Sequence, residues 1–382
     1  MKTPMIALFL IAFQQILLGS EAYTKVPALY IFGDSQADCG NENLIDDNED
    51  KSMYDPYGKN FPYGPTGRYS DGDLITDQIG YYLDVQASTP FVHDEVKFKA
   101  NKRDGYNFAF ASAGILDETG STIIELFKNS ISEYLNRTFH NSSTALSENL
   151  SESLFVVLVG SNDYVFNYLD PLQNSTKHYT PKRLARVLAS RLANFLEELY
   201  TLGGRKFFMF EVGPLGCYPL VIDMVRPESV CAKDINEMVQ YFNTQLGDAV
   251  AQLNYRFQDA TFYLIQIYDF LFKLVQHPVK YGLREIRVPC CPTTTTKNSM
   301  GLCAAHGVPC SSSKLHMFWD KYHLGSHINK LIAEKACKDS GFCRRPADFD
   351  FLSATSLLRP RYIEGTKRIS KPFRRGLNFY CM

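Results

Sequence analysis

The chain has almost no net charge, no apolar run of membrane-spanning length and no internal repeat, and each absence closes off a class of protein. Lys and Arg number 40 against 41 Asp and Glu, for a formal net charge of −1. Nothing in that balance draws the chain to nucleic acid or another polyanion. A bilayer span needs about 20 consecutive apolar residues, and no stretch of the sequence reaches that length. The cysteines lack the paired C-x-x-C knuckles of structural zinc sites, since Cys290, Cys291, Cys303 and Cys310 are spaced otherwise. No repeat of solenoid length and no linker-like composition interrupts residues 23–343, so the sequence predicts one large domain there.

What is present begins with a targeting segment. Lys2 precedes a largely apolar stretch over residues 5–18, and Ser20 and Ala22 supply small residues for cleavage after position 22. Residues 1–22 are therefore expected to be a signal peptide, leaving a soluble, exported chain. Asn136, Asn141, Asn149 and Asn174 each open an N-x-Ser/Thr sequon, and their crowding predicts an exposed, glycosylated face. The 10 cysteines, an even number, suit disulfides in an oxidising compartment. Cys217 and Cys231 are placed for a local pair; the other connectivity is open.

Apolar runs rich in Phe, Val, Ile and Tyr at 26–32, 154–159, 206–212 and 261–267 read as strands buried on both faces. Helix candidates at 121–135, 181–202, 232–257 and 325–336 alternate with them. The second is bounded by Thr180 as N-cap, Pro181 at the first helical position and Gly203-Gly204 at its end. Such alternation predicts an α/β fold with a mostly parallel sheet covered on both faces, because parallel strands need helical crossovers. Residues 344–382 differ, being rich in Arg and Lys and poor in periodicity. They read as a solvated basic tail, or as an arm for acidic polymers, a membrane surface or a partner.

Four separated segments hold the makings of an acyl-transfer site. Ser35 follows Gly33 and Asp34 where the first strand ends, the edge at which open α/β sheets bind ligands. A serine hydroxyl needs a base to take its proton. His323 is the candidate, with Asp320 three residues earlier to fix its tautomer. Asn162 follows the strand at 154–159 and is expected to aim its amide at a developing oxyanion. The small-residue segment 107–115 offers backbone N–H groups to the same oxygen. A metal site on His323 and His327 is the rival, but the glutamate of H-E-x-x-H and a third ligand are missing.

Taken in order, Ile31-Phe32-Gly33-Asp34-Ser35-Gln36, the segment 107–115, Gly160-Ser161-Asn162-Asp163 and Phe318-Trp319-Asp320-Lys321-Tyr322-His323 resemble the blocks of the plant GDSL esterase/lipase family of SGNH hydrolases. The stretches 65–72 and 212–217 are similar to plant signatures of that family. The resemblance implies a flavodoxin-like three-layer α/β/α sandwich and hydrolysis of carboxylic esters without metal or other cofactor. It makes Ser35 the nucleophile, Asp320 and His323 its partners, and Ser35, Ser112 and Asn162 the oxyanion donors. Three positions depart from the pattern. Ser112 stands where the family has glycine, Gln36 where it has leucine, and Leu324-Gly325 where it reads Pro-Thr. The expected substrate is a small-molecule, lipid or polysaccharide ester, met in the extracellular space, apoplast or vacuole. A non-catalytic associated protein that keeps the fold, or an acyltransferase using the same serine, are the alternatives.

Overall fold

The computed structural model describes residues 26–44, 52–85, 89–91, 105–119, 123–131, 138–170, 178–294 and 301–343. The expected signal peptide, the basic tail and the sequons at Asn136 and Asn174 lie outside these residues.

Strand β1 (Leu29–Gly33) is buried along its whole length. It is followed by helix α1 (Ile75–Leu83) and two short strands, β2 (Thr89–Pro90) and β3 (Tyr106–Asn107). Helices α2 (Ile123–Ser130) and α3 (Ser143–Glu152) lead to β4 (Leu154–Leu158). After it come α4 (Pro181–Thr201), β5 (Lys206–Phe210), α5 (Pro219–Val225), α6 (Lys233–Arg256), β6 (Thr261–Ile265), α7 (Tyr268–Gln276) and α8 (Ser326–Ser340). The six strands form one sheet in the order β2-β3-β1-β4-β5-β6, and every pairing is parallel. All five residues of β4 are buried as well. Successive side chains point to opposite faces, so both faces are covered, as the continuous apolar runs predict. The helices α4 and α6 pack on each other, as do α1 and α8.

Register is fixed by a row of aromatic rings across four strands. Tyr30 pairs in register with Phe155, Phe155 with Phe207, and Phe207 with Phe262. The ring centroids are 5.1, 5.3 and 4.5 Å apart in turn. A slip of one residue would send each ring to the opposite face of the sheet.

Helix α4 starts as its sequence signals require, with Pro181 in its first turn and the Thr180 side chain accepting from the Arg183 N–H. Within the candidate at 121–135 the structure describes a helix over Ile123–Ser130, and residues 121–122 and 132–135 lie outside the described residues. The reading of the sequons as one exposed face needs correction. Residues 143–152 form a helix whose Leu146, Asn149 and Leu150 face inward, and the Asn149 side-chain oxygen accepts from the Tyr30 hydroxyl at 3.0 Å. Among the described sequons only Asn141 is exposed.

Four disulfides staple the loops: Cys217–Cys231 as expected, then Cys290–Cys310, Cys291–Cys303 and Cys337–Cys343. The second and third consume the four thiols that a zinc site would have needed.

From β1 the chain first builds the sheet on one side, through β2 and β3, then crosses to β4 on the other. The reversal leaves a crevice beyond the carboxyl end of β1, the usual ligand position in open parallel sheets.

Candidate active site

The first segment reaches this crevice through Gly33. A Cβ there would lie 2.2 Å from the Leu158 carbonyl oxygen, so the close approach of β1 and β4 admits only glycine. Asp34 then turns the chain. One of its carboxylate oxygens accepts the Gln36 N–H at 3.0 Å, and the other accepts the Ser161 hydroxyl at 2.7 Å. This Asx turn carries Ser35 off the end of the sheet. Burial raises the Asp34 carboxyl to about 6, since desolvation disfavours the charged form.

The segment holding the imidazole is a tight loop. Phe318 and Leu324 form an antiparallel bridge, and the Trp319 N–H donates to the His323 carbonyl at 2.8 Å. Inside the loop, Asp320 Oδ1 accepts the N–H groups of Tyr322 and His323 at 2.8 and 2.7 Å. Asp320 Oδ2 lies 2.7 Å from His323 Nδ1, and His323 Nε2 lies 2.7 Å from Ser35 Oγ. The ionised carboxylate can only accept, so Nδ1 carries the proton and Nε2 is left to take the one on Ser35. All three side chains are buried. The Tyr69 ring sits 4.9 Å from the imidazole, centre to centre.

Asn162 follows β4, reached through Gly160 at a φ of 124° that favours glycine. Its side chain is engaged on both sides. Nδ2 donates to the carbonyls of Ala111 and Ala113, each at 2.9 Å, and Oδ1 accepts from the Tyr322 hydroxyl at 3.2 Å. Asn162 is thus not the free donor expected from sequence; it pins the small-residue loop, and would serve an oxyanion by sharing one of these protons. The backbone N–H groups of Ser35 and Ser112 have no hydrogen-bond partner among the described residues.

Two departures from the family pattern sit without backbone strain. Ser112 is absent from the residues of positive φ, so its backbone is one that serine adopts without strain. Its hydroxyl is drawn aside, 3.3 Å from each carboxylate oxygen of Glu42. After His323, Leu324 is buried, and Gly325 is the N-cap of α8 with φ −69° and ψ 154°. No side chain of the cap itself bonds the helix. Instead Asp71 Oδ1 accepts the Ser326 N–H at 2.6 Å, and Asp71 Oδ2 accepts from Asn60 at 2.6 Å.

A cavity of about 250 Å³ opens over these groups, with Ser35, Ser112, Asn162, His323, Tyr69 and Phe166 among its lining. The structure brings together the five residues singled out from sequence, Ser35, Ser112, Asn162 and His323 around the cavity and Asp320 behind His323, with tyrosines that sequence reading missed. Tyr322 bonds Asn162, and the Tyr57 hydroxyl donates to Asp320 Oδ2 at 2.6 Å. Burial and the Asp320 charge push the Tyr57 hydroxyl well above the usual tyrosine range, which keeps it a donor.

The model of the family described as GDSL-like Lipase/Acylhydrolase matches residues 29–336, from the start of β1 into α8. The chain belongs to the GDSL lipase/acylhydrolase family. GDSL esterase/lipase 7 of Arabidopsis thaliana is 33% identical over 326 residues, covering 82% of this chain and 88% of the relative. Another GDSL esterase/lipase of the same plant is 34% identical over 338 residues, covering 84% and 86%. A crystal structure titled as a possible lipase from Chitinophaga pinensis aligns at a TM-score of 0.38 and 11% identity, over 82% of this chain and 99% of that one. That likeness is too remote to bear on the site. The GDSL relatives carry ester hydrolysis as their named chemistry. In this GDSL chain a hydroxyl, an imidazole and a carboxylate stand in one hydrogen-bonded series at the expected crevice.

Proposed function

We propose that the protein is an exported serine esterase that hydrolyses carboxylic esters through an acyl-enzyme on Ser35. One observation carries the reading: the unbroken series from Ser35 Oγ to His323 Nε2 and from His323 Nδ1 to Asp320 Oδ2, with both contacts 2.7 Å. Ser35 Oγ attacks the ester carbonyl carbon while its proton passes to His323. The resulting oxyanion is met by the Ser35 and Ser112 N–H groups and by a shared proton of Asn162. Collapse of this intermediate expels the alcohol, which takes the proton from His323 and leaves the acyl group on Ser35. Water then repeats the sequence, losing its proton to His323, and the acid departs as Ser35 recovers its own. Asp320 holds the tautomer and offsets the imidazolium charge throughout. Export is supported by the leader-like residues 1–22 and by four disulfides, which persist in oxidising compartments. The exposed Asn141 is the described sequon suited to a glycan.

The test is hydrolysis of a short-chain p-nitrophenyl ester by the purified protein beside Ser35→Ala. Turnover that disappears in the variant is the expected result. A folded wild type without turnover would favour the other reading, a GDSL-fold binding protein; the engagement of both Asn162 protons is the feature that would then explain the lost chemistry.

A further inference from the structure

We propose that Tyr57 is a positioning residue for this reaction, holding Asp320 by the same carboxylate oxygen that receives His323. The inference rests on the reading of Ser35, His323 and Asp320 given above. Tyr57 Oη is 2.6 Å from Asp320 Oδ2, and His323 Nδ1 is 2.7 Å from that oxygen. Tyr57 and Asp320 are both 0% exposed, so water cannot replace the hydroxyl.

The direction of the bond follows from a third group. The Cys303 N–H lies 3.2 Å from Tyr57 Oη, and a backbone N–H can only donate. The hydroxyl oxygen therefore accepts from Cys303 and has its single proton to give to Asp320. Cys303 is tied by its disulfide to Cys291, whose N–H donates at 2.9 Å to the Trp319 carbonyl, next to Asp320 in the chain. The cystine loop thus braces both Tyr57 and the peptide that carries the carboxylate. Asp320 Oδ1 is already held by two backbone N–H groups of its own loop. Tyr57 is what fixes the other oxygen from outside that loop.

The hydroxyl draws part of the Asp320 charge to itself and away from the imidazole. Removing it leaves the whole of that charge to the imidazolium, so protonated His323 persists to higher pH and the base is recruited later. It also frees the carboxylate to rotate, and a base misplaced by a fraction of an ångström loses rate. The other titratable groups facing this pair are Tyr54, whose charge interaction with Asp320 accompanies its burial, Tyr69 over the imidazole, Tyr322 with its ring 5.2 Å from the imidazole, and Asp34, which interacts with His323. None of them bonds Asp320 Oδ2.

The experiment compares wild type, Ser35→Ala, Tyr57→Phe and Tyr54→Phe in full kcat and kcat/KM profiles against pH, and in the rate of labelling by a fluorophosphonate. Tyr54 is the control because its hydroxyl donates at 2.7 Å to the Cys303 carbonyl, bracing the same loop without touching Asp320. Tyr57→Phe is expected to lower kcat roughly tenfold with KM within about twofold, and to move the acid limb up by about half a pH unit. Tyr54→Phe is expected to leave the profile in place. If Tyr57→Phe fails to fold, a fluorotyrosine at position 57 keeps the ring and strengthens the donor, and the acid limb is expected to move down. A profile that superimposes on wild type in either Tyr57 variant overturns the proposal. So does a shift of equal size in Tyr54→Phe. A folded wild type that neither turns over ester nor labels at Ser35 overturns the underlying reading, and the role of Tyr57 with it.

Discussion

Replacing Asn162 by Ala tests its proposed part in meeting the oxyanion. In the resting protein the Asn162 amide gives both protons to backbone carbonyls, Ala111 and Ala113, at 2.9 Å. Those acceptors are neutral. A developing oxyanion is charged, and charge-assisted hydrogen bonds are about twice as strong as neutral ones. The oxyanion can therefore claim a share of one proton in the transition state that the ground-state carbonyl cannot. The loss of one such donor costs about 3–4 kcal/mol, or two to three orders of magnitude in kcat. KM should stay within about threefold, because the interaction is made only in the transition state. Folding should also suffer. The Ala111 and Ala113 carbonyls and the Tyr322 hydroxyl lose a common partner, for a stability loss of about 2–3 kcal/mol after the carbonyls facing the cavity find water. Steady-state kinetics on a p-nitrophenyl ester, with thermal melts of both proteins, read these effects separately. A folded variant whose kcat lies within about fivefold of wild type would refute the assignment. It would mean that Asn162 only pins the loop and that backbone N–H groups carry the oxyanion alone.

Asp34→Asn probes the buried turn beside the nucleophile. Burial raises the Asp34 carboxyl from 3.8 to about 6, so its stabilising contribution is complete below about pH 4 and is lost as pH climbs through 6. The unfolding free energy of the variant relative to wild type should rise between about pH 4 and pH 6 by about 3 kcal/mol, at about 1.4 kcal/mol per pH unit, and level off above that; a relative stability that is flat or falling between pH 4 and pH 6 would refute this. Ser112→Gly restores the family glycine, and because the Ser112 hydroxyl turns toward Glu42 at ordinary φ, kcat/KM should change by no more than about twofold. A gain of about tenfold would show that the side chain crowds the acyl group after all.

The sheet was legible where its strands are buried on both faces, because a continuous apolar run has few other uses. Leu154–Leu158 and Lys206–Phe210 are such cases. Strands β2 and β3 were not, since two residues each show no periodicity and exist only through pairing with their neighbours. Helix α3 was hidden by its sequons. Its polar residues outnumber Leu146 and Leu150, and Asn149 works inside, against Tyr30. The residues of the candidate site were readable because each is set by its own short segment: the Asx turn at Asp34, the strand end before Asn162, the three-residue step from Asp320 to His323. Tyr57 lies 263 positions from the carboxylate it holds, and no local pattern marks it. The nested pairing of Cys290–Cys310 around Cys291–Cys303 was equally out of reach, because spacing alone permits other connectivities.

The turn after His323 shows how a departure from a motif can be absorbed at a distance. Proline would have set φ there by its ring, and threonine would have supplied a cap. This chain has Leu324 and Gly325, and its turn is held by three hydrogen bonds, one of them from a distant loop. Trp319 donates to the His323 carbonyl at 2.8 Å, Gly325 to the Met317 carbonyl at 3.1 Å, and Ser326 to Asp71 at 2.6 Å. The Gly325 N–H bond is compatible with threonine but would be lost to a proline at that position. Asp71 comes from the same stretch as Tyr57, and their backbones are linked through the bond from the Gly58 N–H to the Ser70 carbonyl at 2.9 Å. One loop therefore grips the histidine segment twice, at the Asp320 carboxylate by Tyr57 and at the start of α8 by Asp71. The distance from His323 to Ser35 is consequently a property of this loop and its cystine brace, as much as of the motif that contains the histidine.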